Sequence, residues 1–556
     1  MIVPMLHLDL ICVADEKDAT LKALGEVGAV HIGCTTGSGQ SAEKARQDFE
    51  NAVKIVRLIQ KARKDLNEEG CNLKPLSVED GLLLERDKAT LIEEKNLLFR
   101  EIKAYEQYGD FDVALAESLL ERVESLREYV DLPEKLPRMR LSKMKEKLAR
   151  VENRIRIVDY KFASGDESLI IGKYPHLADR VEFESVKETM GEKGTLAYLS
   201  GWVPSTRVEE LKISASANAW GLLLREKLPE ETPPTLVEPP RFFKPVKALF
   251  DGLGIAPAYS ESDVSMPFMC YFSLFFAMLV GDGAYGAIFL GATLFGWKKH
   301  LANPGNALMK SWLILLTVFS AATVLWGFLS NTWFGAQIPW CTDWPTVKWL
   351  ADPSYRHMML LCFTIGVSHL MIARIWNGIC KLNDTTAIAE FGWAGILLFM
   401  YFVTNFIVGI FASIPLAMYW VFGAALFAVF VFTVKPSELK SRGAELGMLP
   451  LNIMSALGDI ISYVRLFAVG LASVKVAENF NSMATSLFVN ADGVLEKLLM
   501  ALAMVLILVV GHALNLAMAG LSILVHAVRL NTLEFSNHKG ISWAGVLYNP
   551  FKRRKI

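Results

Sequence analysis

From residue 261 onward the chain is a succession of long apolar segments, and nothing else in it constrains the fold as strongly. A helix needs about 20 apolar residues to cross the hydrocarbon core of a bilayer. Eight segments read as helical, roughly 267–280, 284–298, 307–330, 357–379, 387–410, 414–434, 448–488 and 495–533. The first two are short and meet at Gly281-Asp282-Gly283, where a tight hairpin is expected. The last two run to about 40 residues each, long enough to span only if strongly tilted or continued beyond the lipid.

The formal net charge of -1 conceals two unlike halves. Residues 1–260 hold 38 Lys+Arg and 44 Asp+Glu, whereas 261–556 hold 19 and 14, giving -6 and +5. A chain that is 52% hydrophobic is too apolar to be disordered or to bind nucleic acid, and 556 residues exceed one ordinary core. A plain soluble enzyme is excluded on the same grounds. The cysteines at 12, 34, 71, 270, 341, 362 and 380 form no CxxC pair, so neither a zinc site nor a disulfide framework is expected.

The reading divides the chain at residue 260. Within 1–260, α/β lobes at about 1–40 and 165–228 bracket a coiled coil at about 41–164, and a Pro-rich linker covers 229–260. Leu6, Leu8 and Leu10 alternate with His7 and Asp9, as in a strand. Residues 168–172 and 195–203 also read as strands. Phe49, Val53, Val56 and Ile59 have helical spacing, and Leu84, Leu91, Leu98 and Tyr105 repeat every seven residues. Leu141, Met144, Leu148, Val151, Ile155, Val158 and Phe162 continue that seam, and Pro133 and Pro137 predict the turn of an antiparallel hairpin. A compact helical bundle is the alternative. The fold expected is therefore mainly α: cytoplasmic α/β lobes joined by an antiparallel coiled-coil hairpin, then an eight-helix transmembrane domain with two long tilted final helices.

Basic residues set the orientation. Lys298, Lys299, Arg374, Lys381, Lys435, Lys440, Arg442 and the tail Lys552-Arg553-Arg554-Lys555 fall on one side, while loop 331–355 holds only Lys348. The positive-inside rule then places both termini in the cytoplasm. The start of the chain has no basic secretory signal, which agrees. The one Gly-Lys pair, Gly172-Lys173, lacks the upstream glycine of a phosphate loop, and HExxH and GxSxG are absent. No catalytic residue, metal ligand or cofactor is assigned.

The chemistry lies in charges that do not belong in lipid. Arg465 sits in the middle of the seventh segment and Arg529 late in the eighth. Arginine cannot escape burial by deprotonating, and its cost at a bilayer centre is at least roughly 2.5–3.5 kcal/mol. At about 100° per residue, His512, Asn515, Ser522, His526 and Arg529 fall within an arc of about 100°, along roughly 25 Å of helix. Ser462 shares the face of Arg465, as do Gly458 and Ala472, where small side chains would admit a neighbouring helix. These residues suggest an aqueous ion path interrupted by a fixed positive charge. The plainer readings are that Arg529 snorkels to headgroups and that the histidines pack or hydrogen-bond. Asp282, Glu390 and Asp459 are acidic candidates. Asp459 lies about 120° from Arg465 and is expected to face elsewhere. Glu534 is expected at the membrane–water interface.

Several motifs resemble the membrane stator subunit of V/A-type rotary ATPases (subunit a, or subunit I). Gly281-Asp-Gly-Ala-Tyr-Gly is similar to its Gly-Asp-x-Gly-His/Tyr-Gly element, with Ala284 for the second glycine. Glu390-Phe-Gly-Trp, Ser462-Tyr-Val-Arg-Leu-Phe-Ala-Val-Gly-Leu-Ala, Gly511-His-x-x-Asn and Val525-His-Ala-Val-Arg-Leu-Asn-Thr-Leu-Glu-Phe also match. Leu24-Gly-Glu-Val-Gly-Ala-Val-His and Gly201-Trp-Val-Pro extend the resemblance through the whole chain. It implies half-channels facing a rotating proteolipid ring whose carboxylates meet Arg465, with Arg529 as a supporting arginine. A fixed cation lowers the proton affinity of a passing carboxylate and so promotes release. The soluble half would be an arm held by peripheral stalk subunits, with the central-stalk collar subunit a further candidate partner. ATP would be handled by other subunits. Many relatives carry an acidic or amide side chain about ten residues before the second arginine, where this chain has Ala519. Whether H+ or Na+ is moved depends on the ring. The chain's compact length suggests a prokaryotic cell membrane.

Two other functions would fit a chain of this composition. A secondary transporter with a cytoplasmic coiled-coil regulatory domain should show an internal repeat with paired broken helices, and none is found. A membrane-anchored scaffold leaves Arg465 unexplained.

Overall fold

The computed structural model describes residues 2–33, 39–66, 73–122, 136–137, 139–302, 307–350, 354–434, 444–489 and 494–552. It is mainly helical and divides into two compact units. One is Met5–Leu228 with the segment beginning at Asn549; the other is Pro229–Tyr548 with the segment ending at Pro4. Pro133, Lys435, Lys440, Arg442 and the tail from 553 lie outside the described residues.

The first unit opens with strand β1 (Met5–Val13) and helix α1 (Lys17–Val27). Helix α2 (Gln40–Leu66), strand β2 (Lys74–Pro75), α3 (Val78–Tyr105), α4 (Val113–Arg122) and α5 (Leu141–Ala163) follow. Then come β3 (Gly165–Asp166), α6 (Ser168–Ile171), α7 (Tyr174–Thr189), β4 (Gly191–Lys193), β5 (Leu196–Pro204), α8 (Val208–Ala217) and β6 (Gly221–Arg225). The sheet order is β4-β5-β1-β6, antiparallel throughout. The alternation in β1 buries Leu8, Leu10 and Cys12 against Leu21 and Leu24 of α1, Val186 of α7 and Leu211 of α8. The two predicted α/β lobes thus share one sheet, because β1 pairs with β5 from the far end of the unit.

Between these strands α2, α3 and α5 bury a common seam of Ile55, Ile59, Leu91, Leu98, Val151, Val158 and Phe162. Ion pairs Lys88–Asp159, Lys95–Glu152 and Lys145–Glu106 run in opposite senses along α3 and α5, so these helices are antiparallel. Residues 168–172, expected as a strand, are helical. Ile171 N–H donates to Glu167 O (2.9 Å) and Gly172 N–H to Ser168 O (2.9 Å). So short an apolar run has no period with which to tell helix from strand.

The second unit contains α9 (Val246–Leu253), α10 (Ser265–Val280), α11 (Gly283–Ala302), α12 (Ala307–Ser330), α13 (Pro345–Leu350), α14 (Arg356–Cys380), α15 (Thr386–Ile407) and α16 (Leu416–Phe432). The chain continues through α17 (Leu449–Ser462), α18 (Val464–Val489) and α19 (Val494–Ser522). Two π-helical stretches, Ile523–Ala527 and Leu530–Phe535, precede α20 (Ser536–Lys539). Among the described residues, five spans are long and apolar enough to cross a membrane: Leu308–Ser330, Arg356–Cys380, Thr386–Ile407, Leu449–Leu487 and Lys497–Lys539.

Packing departs from the expected hairpin of the first two segments. Gly281 turns the chain with φ +69°, but α11 then lies along α12 instead of folding back on α10. A Cβ placed on Gly327 of α12 would sit 2.2 Å from the Cα of Gly283, so the two backbones touch. The close approach to α10 comes from α18, where a Cβ on Gly470 would lie 2.5 Å from Met278 O. Gly458, expected to admit a neighbouring helix, faces open space.

Candidate functional site

Both arginines sit where the regular helix is interrupted. Tyr463 separates α17 from α18, with tight three-residue turns from Tyr463 N–H to Ile460 O (3.2 Å) and from Leu466 N–H to Tyr463 O (3.0 Å). Arg465 follows two residues later. Arg529 lies between the two π-helical stretches. Such wide turns occur most often as local bulges near functional groups.

The two side chains converge on one carboxylate. Arg465 Nη1 and Arg529 Nε each lie 3.5 Å from Glu534 Oε1. The Glu534 side chain is 6% exposed, against 21% for Arg465 and 53% for Arg529. Its second oxygen, Oε2, is buried without a hydrogen-bond partner. Glu534 is the buried centre of the group. The reason is burial energetics: a buried cation needs a counter-charge, and breaking such a pair costs about 3–5 kcal/mol.

The other predicted residues divide into separate groups. His512 Nδ1 lies 2.7 Å from Tyr285 Oη, and His512 Nε2 lies 3.2 Å from Asn481 Oδ1. Asn515, fully buried, donates to Tyr285 Oη (3.1 Å) and to Ser473 O (2.9 Å). These residues are well separated along the chain from His526 and Arg529. Ser522 and His526 are half-buried, and His526 Nδ1 has no hydrogen-bond partner. The π-helical stretch Ile523–Ala527 changes the angular step between Ser522 and Arg529. Ala519 is buried. Ser462 bonds back to Asp459 O (2.7 Å).

Asp459 faces away from Arg465, as expected. Its Oδ2 lies 3.0 Å from His538 Nε2, and Arg374 Nε donates to His538 Nδ1 (3.2 Å). Arg374 and Lys381 both pair with Glu390 (3.1 and 2.7 Å). A cavity lined by Arg374, Trp393, Leu449, Asn452, Asp459 and His538 opens beside this chain of bonds. Asp282 is a backbone clip: Oδ1 accepts from Ala284 N–H and Oδ2 from Gly335 N–H, each at 2.8 Å. Among the described residues no cluster of His, Cys, Asp or Glu is arranged to hold a metal ion.

The sequence reading missed several participants. Tyr285 was read only as part of a motif, and Arg374 only as an orienting charge. His369 is fully buried between the rings of Tyr271 (4.1 Å) and Phe535 (4.5 Å), with Nδ1 2.9 Å from Tyr463 Oη. A histidine in the middle of an apolar segment was the available signal.

The long apolar helices fit a membrane protein, and in it two arginines meet at one buried carboxylate. The comparisons with known proteins are more particular. The chain is homologous, at 27% identity over the whole of both chains, to a V-type ATP synthase subunit I of Borreliella burgdorferi. It is likewise 27% identical over both whole chains to a V-type ATP synthase subunit I 1 of Treponema pallidum. An A-type ATP synthase subunit I of Methanocaldococcus jannaschii is 24% identical over 74% of this chain and 64% of its own. No family model matches the chain.

Proposed function

We propose that this chain is the ion-translocating stator subunit of a V/A-type rotary ATPase. One observation carries the reading: two arginines from the last two long apolar segments meet at one buried carboxylate. Those same segments leave most of their apolar surface open. Only 11% of the most apolar window of Lys497–Lys539 is buried within the chain. Leu499, Leu502, Leu506, Val510, Leu514 and Leu521 of α19 are all exposed. An uncovered apolar face next to a fixed positive group suits a partner made of apolar helices carrying carboxylates, that is, a proteolipid ring.

In this reading the unit from Pro229 crosses the membrane eight times, with both termini cytoplasmic. Arg465 attracts the deprotonated ring carboxylate and blocks leakage between two half-channels, and Arg529 supports it. The groups around Asp459–His538 and around Tyr285–His512–Asn515 supply polar access from opposite sides of the membrane. The antiparallel α3–α5 pair and the sheet form an arm, coiled-coil in character, that peripheral stalks hold against torque, with a collar subunit as a further contact. ATP chemistry belongs to other subunits.

Purification from native membranes tests the assembly. Co-isolation with ATPase head subunits and a proteolipid ring is expected, and a lone chain that binds a solute would refute it. The Arg465→Ala variant is expected to assemble but to lose coupled ion pumping; full pumping would remove its assigned role. Dependence of ATPase activity on Na+ would identify the ion.

A further inference from the structure

We propose that Glu534 is a built-in competitor for the two arginines, a fixed counter-ion that limits how tightly they hold a visiting carboxylate. This rests on the stator reading and adds a residue that tunes the affinity of the same site.

The placement of Glu534 is the first support. On a regular α-helix, residues five apart point about 140° away from each other. Arg529 and Glu534 have that spacing and would diverge. The stretch Leu530–Phe535 is π-helical, and a π turn closes from residue i to i+5. The irregularity is what brings Glu534 Oε1 to 3.5 Å from Arg529 while it also reaches Arg465 on the preceding long segment.

The second support is the order of exposure. The carboxylate is innermost, Arg465 is partly covered and Arg529 is half open. A visiting carboxylate therefore meets the guanidinium side of the group. It encounters a net charge of +1 with Glu534 ionised; without Glu534 that charge would be +2. The contacts of 3.5 Å are longer than the roughly 2.7–2.9 Å of tight charge-assisted bonds. Both arginines share Oε1, so the carboxylate can keep one while the other turns to a visitor.

The other ionisable groups facing this centre are His526 on the same long segment and Tyr463 at the α17–α18 junction. Behind them stand His369, bonded to Tyr463, and Asp459, bonded to His538. Glu534 is the one carboxylate that contacts both arginines among the described residues.

The consequence is measurable in the assembled membrane complex. More positive charge stabilises the empty, ionised ring carboxylate, so more cation is needed to reload it. ATP-driven pumping is measured against the concentration of the transported cation, H+ or Na+. Glu534→Gln is expected to raise the half-saturating concentration about tenfold, the lower end for losing a charge within about 4–6 Å. Glu534→Asp, which keeps the charge, is expected to stay near the wild type. Arg529→Gln is expected to shift the value downward, and the double variant Glu534→Gln/Arg529→Gln to return it toward the wild type. A merely structural role would lower the rate without these opposite shifts. An unchanged half-saturating concentration in Glu534→Gln, or an equal shift in Glu534→Asp, overturns the proposal. Should Glu534→Gln fail to assemble, an unshifted Arg529→Gln overturns it instead. Failure of the underlying reading is separate, since it would appear as a lone chain on purification, or as full pumping in Arg465→Ala.

Discussion

At the scale of the residue, buried acids in this protein divide into those that hold backbone and those that hold charge. Asp282 belongs to the first kind, since both of its oxygens accept backbone N–H groups. Asp282→Ala would leave the Gly335 N–H without its acceptor, at a cost of about 1–3 kcal/mol. The expected result is faster amide hydrogen exchange at 331–338 with ion coupling retained. Loss of coupling with unchanged exchange would instead put Asp282 in the ion path. Glu534 belongs to the second kind. Its spacing from Arg529 hid that from a reading at constant helical pitch. The arginines themselves were legible, because a permanent charge inside an apolar segment is conspicuous whatever the fold around it.

At the scale of the element, helix crossings are set by glycines that allow backbones to touch. Gly327 and Gly283 are the tightest instance in the second unit. Gly327→Val would drive side-chain atoms into the α11 backbone, and overpacking of this kind costs about 1–3 kcal/mol or more. The variant is expected to lower the thermal stability of the purified complex or to prevent its assembly. Gly291→Ala, on α11 beyond the crossing and with open space where its Cβ would lie, is expected to be neutral. Equal losses in both variants would show that the crossing is not what matters. The helical segments were legible from length and hydropathy. Which helix α11 packs against was not, because glycines mark close approach without naming the partner.

At the scale of the whole molecule, the near-zero total charge is the sum of an acidic half, residues 1–260, and a basic half, residues 261–556, whereas the two compact units, each with its own core, are both nearly neutral because the basic tail belongs to the first. The first unit closes through its C-terminal segment, where Phe551 joins the sheet core and His31 Nδ1 bonds to the Asn549 backbone. Burial lowers the pKa of His31, and the bond to Asn549 offsets this only in part. A lowered folded value means that the unfolded chain binds the proton more readily. Stability should therefore fall as pH drops through about 6.5 and level off below the folded value. Limited proteolysis of the intact chain is expected to show the Asn549 segment released at pH 5 and protected at pH 7, with His31→Asn abolishing the difference. An unchanged pH dependence in that variant would refute the assignment.

The sequence alone made legible the long apolar helices, the seam of α3 and α5, and the presence of two arginines inside apolar segments. Each of these follows from local periodicity or from the solvation cost of a single side chain, and both are properties of neighbours in the chain. Tertiary structure decided the rest. It joined β1 to β5 across the whole first unit, broke the long segments at Tyr463 and at the π-helical stretches, and brought Glu534 to both arginines. These pairings depend on which distant surfaces pack together. A local change in helical register, itself held by that packing, is enough to bring residues five apart, Arg529 and Glu534, into contact.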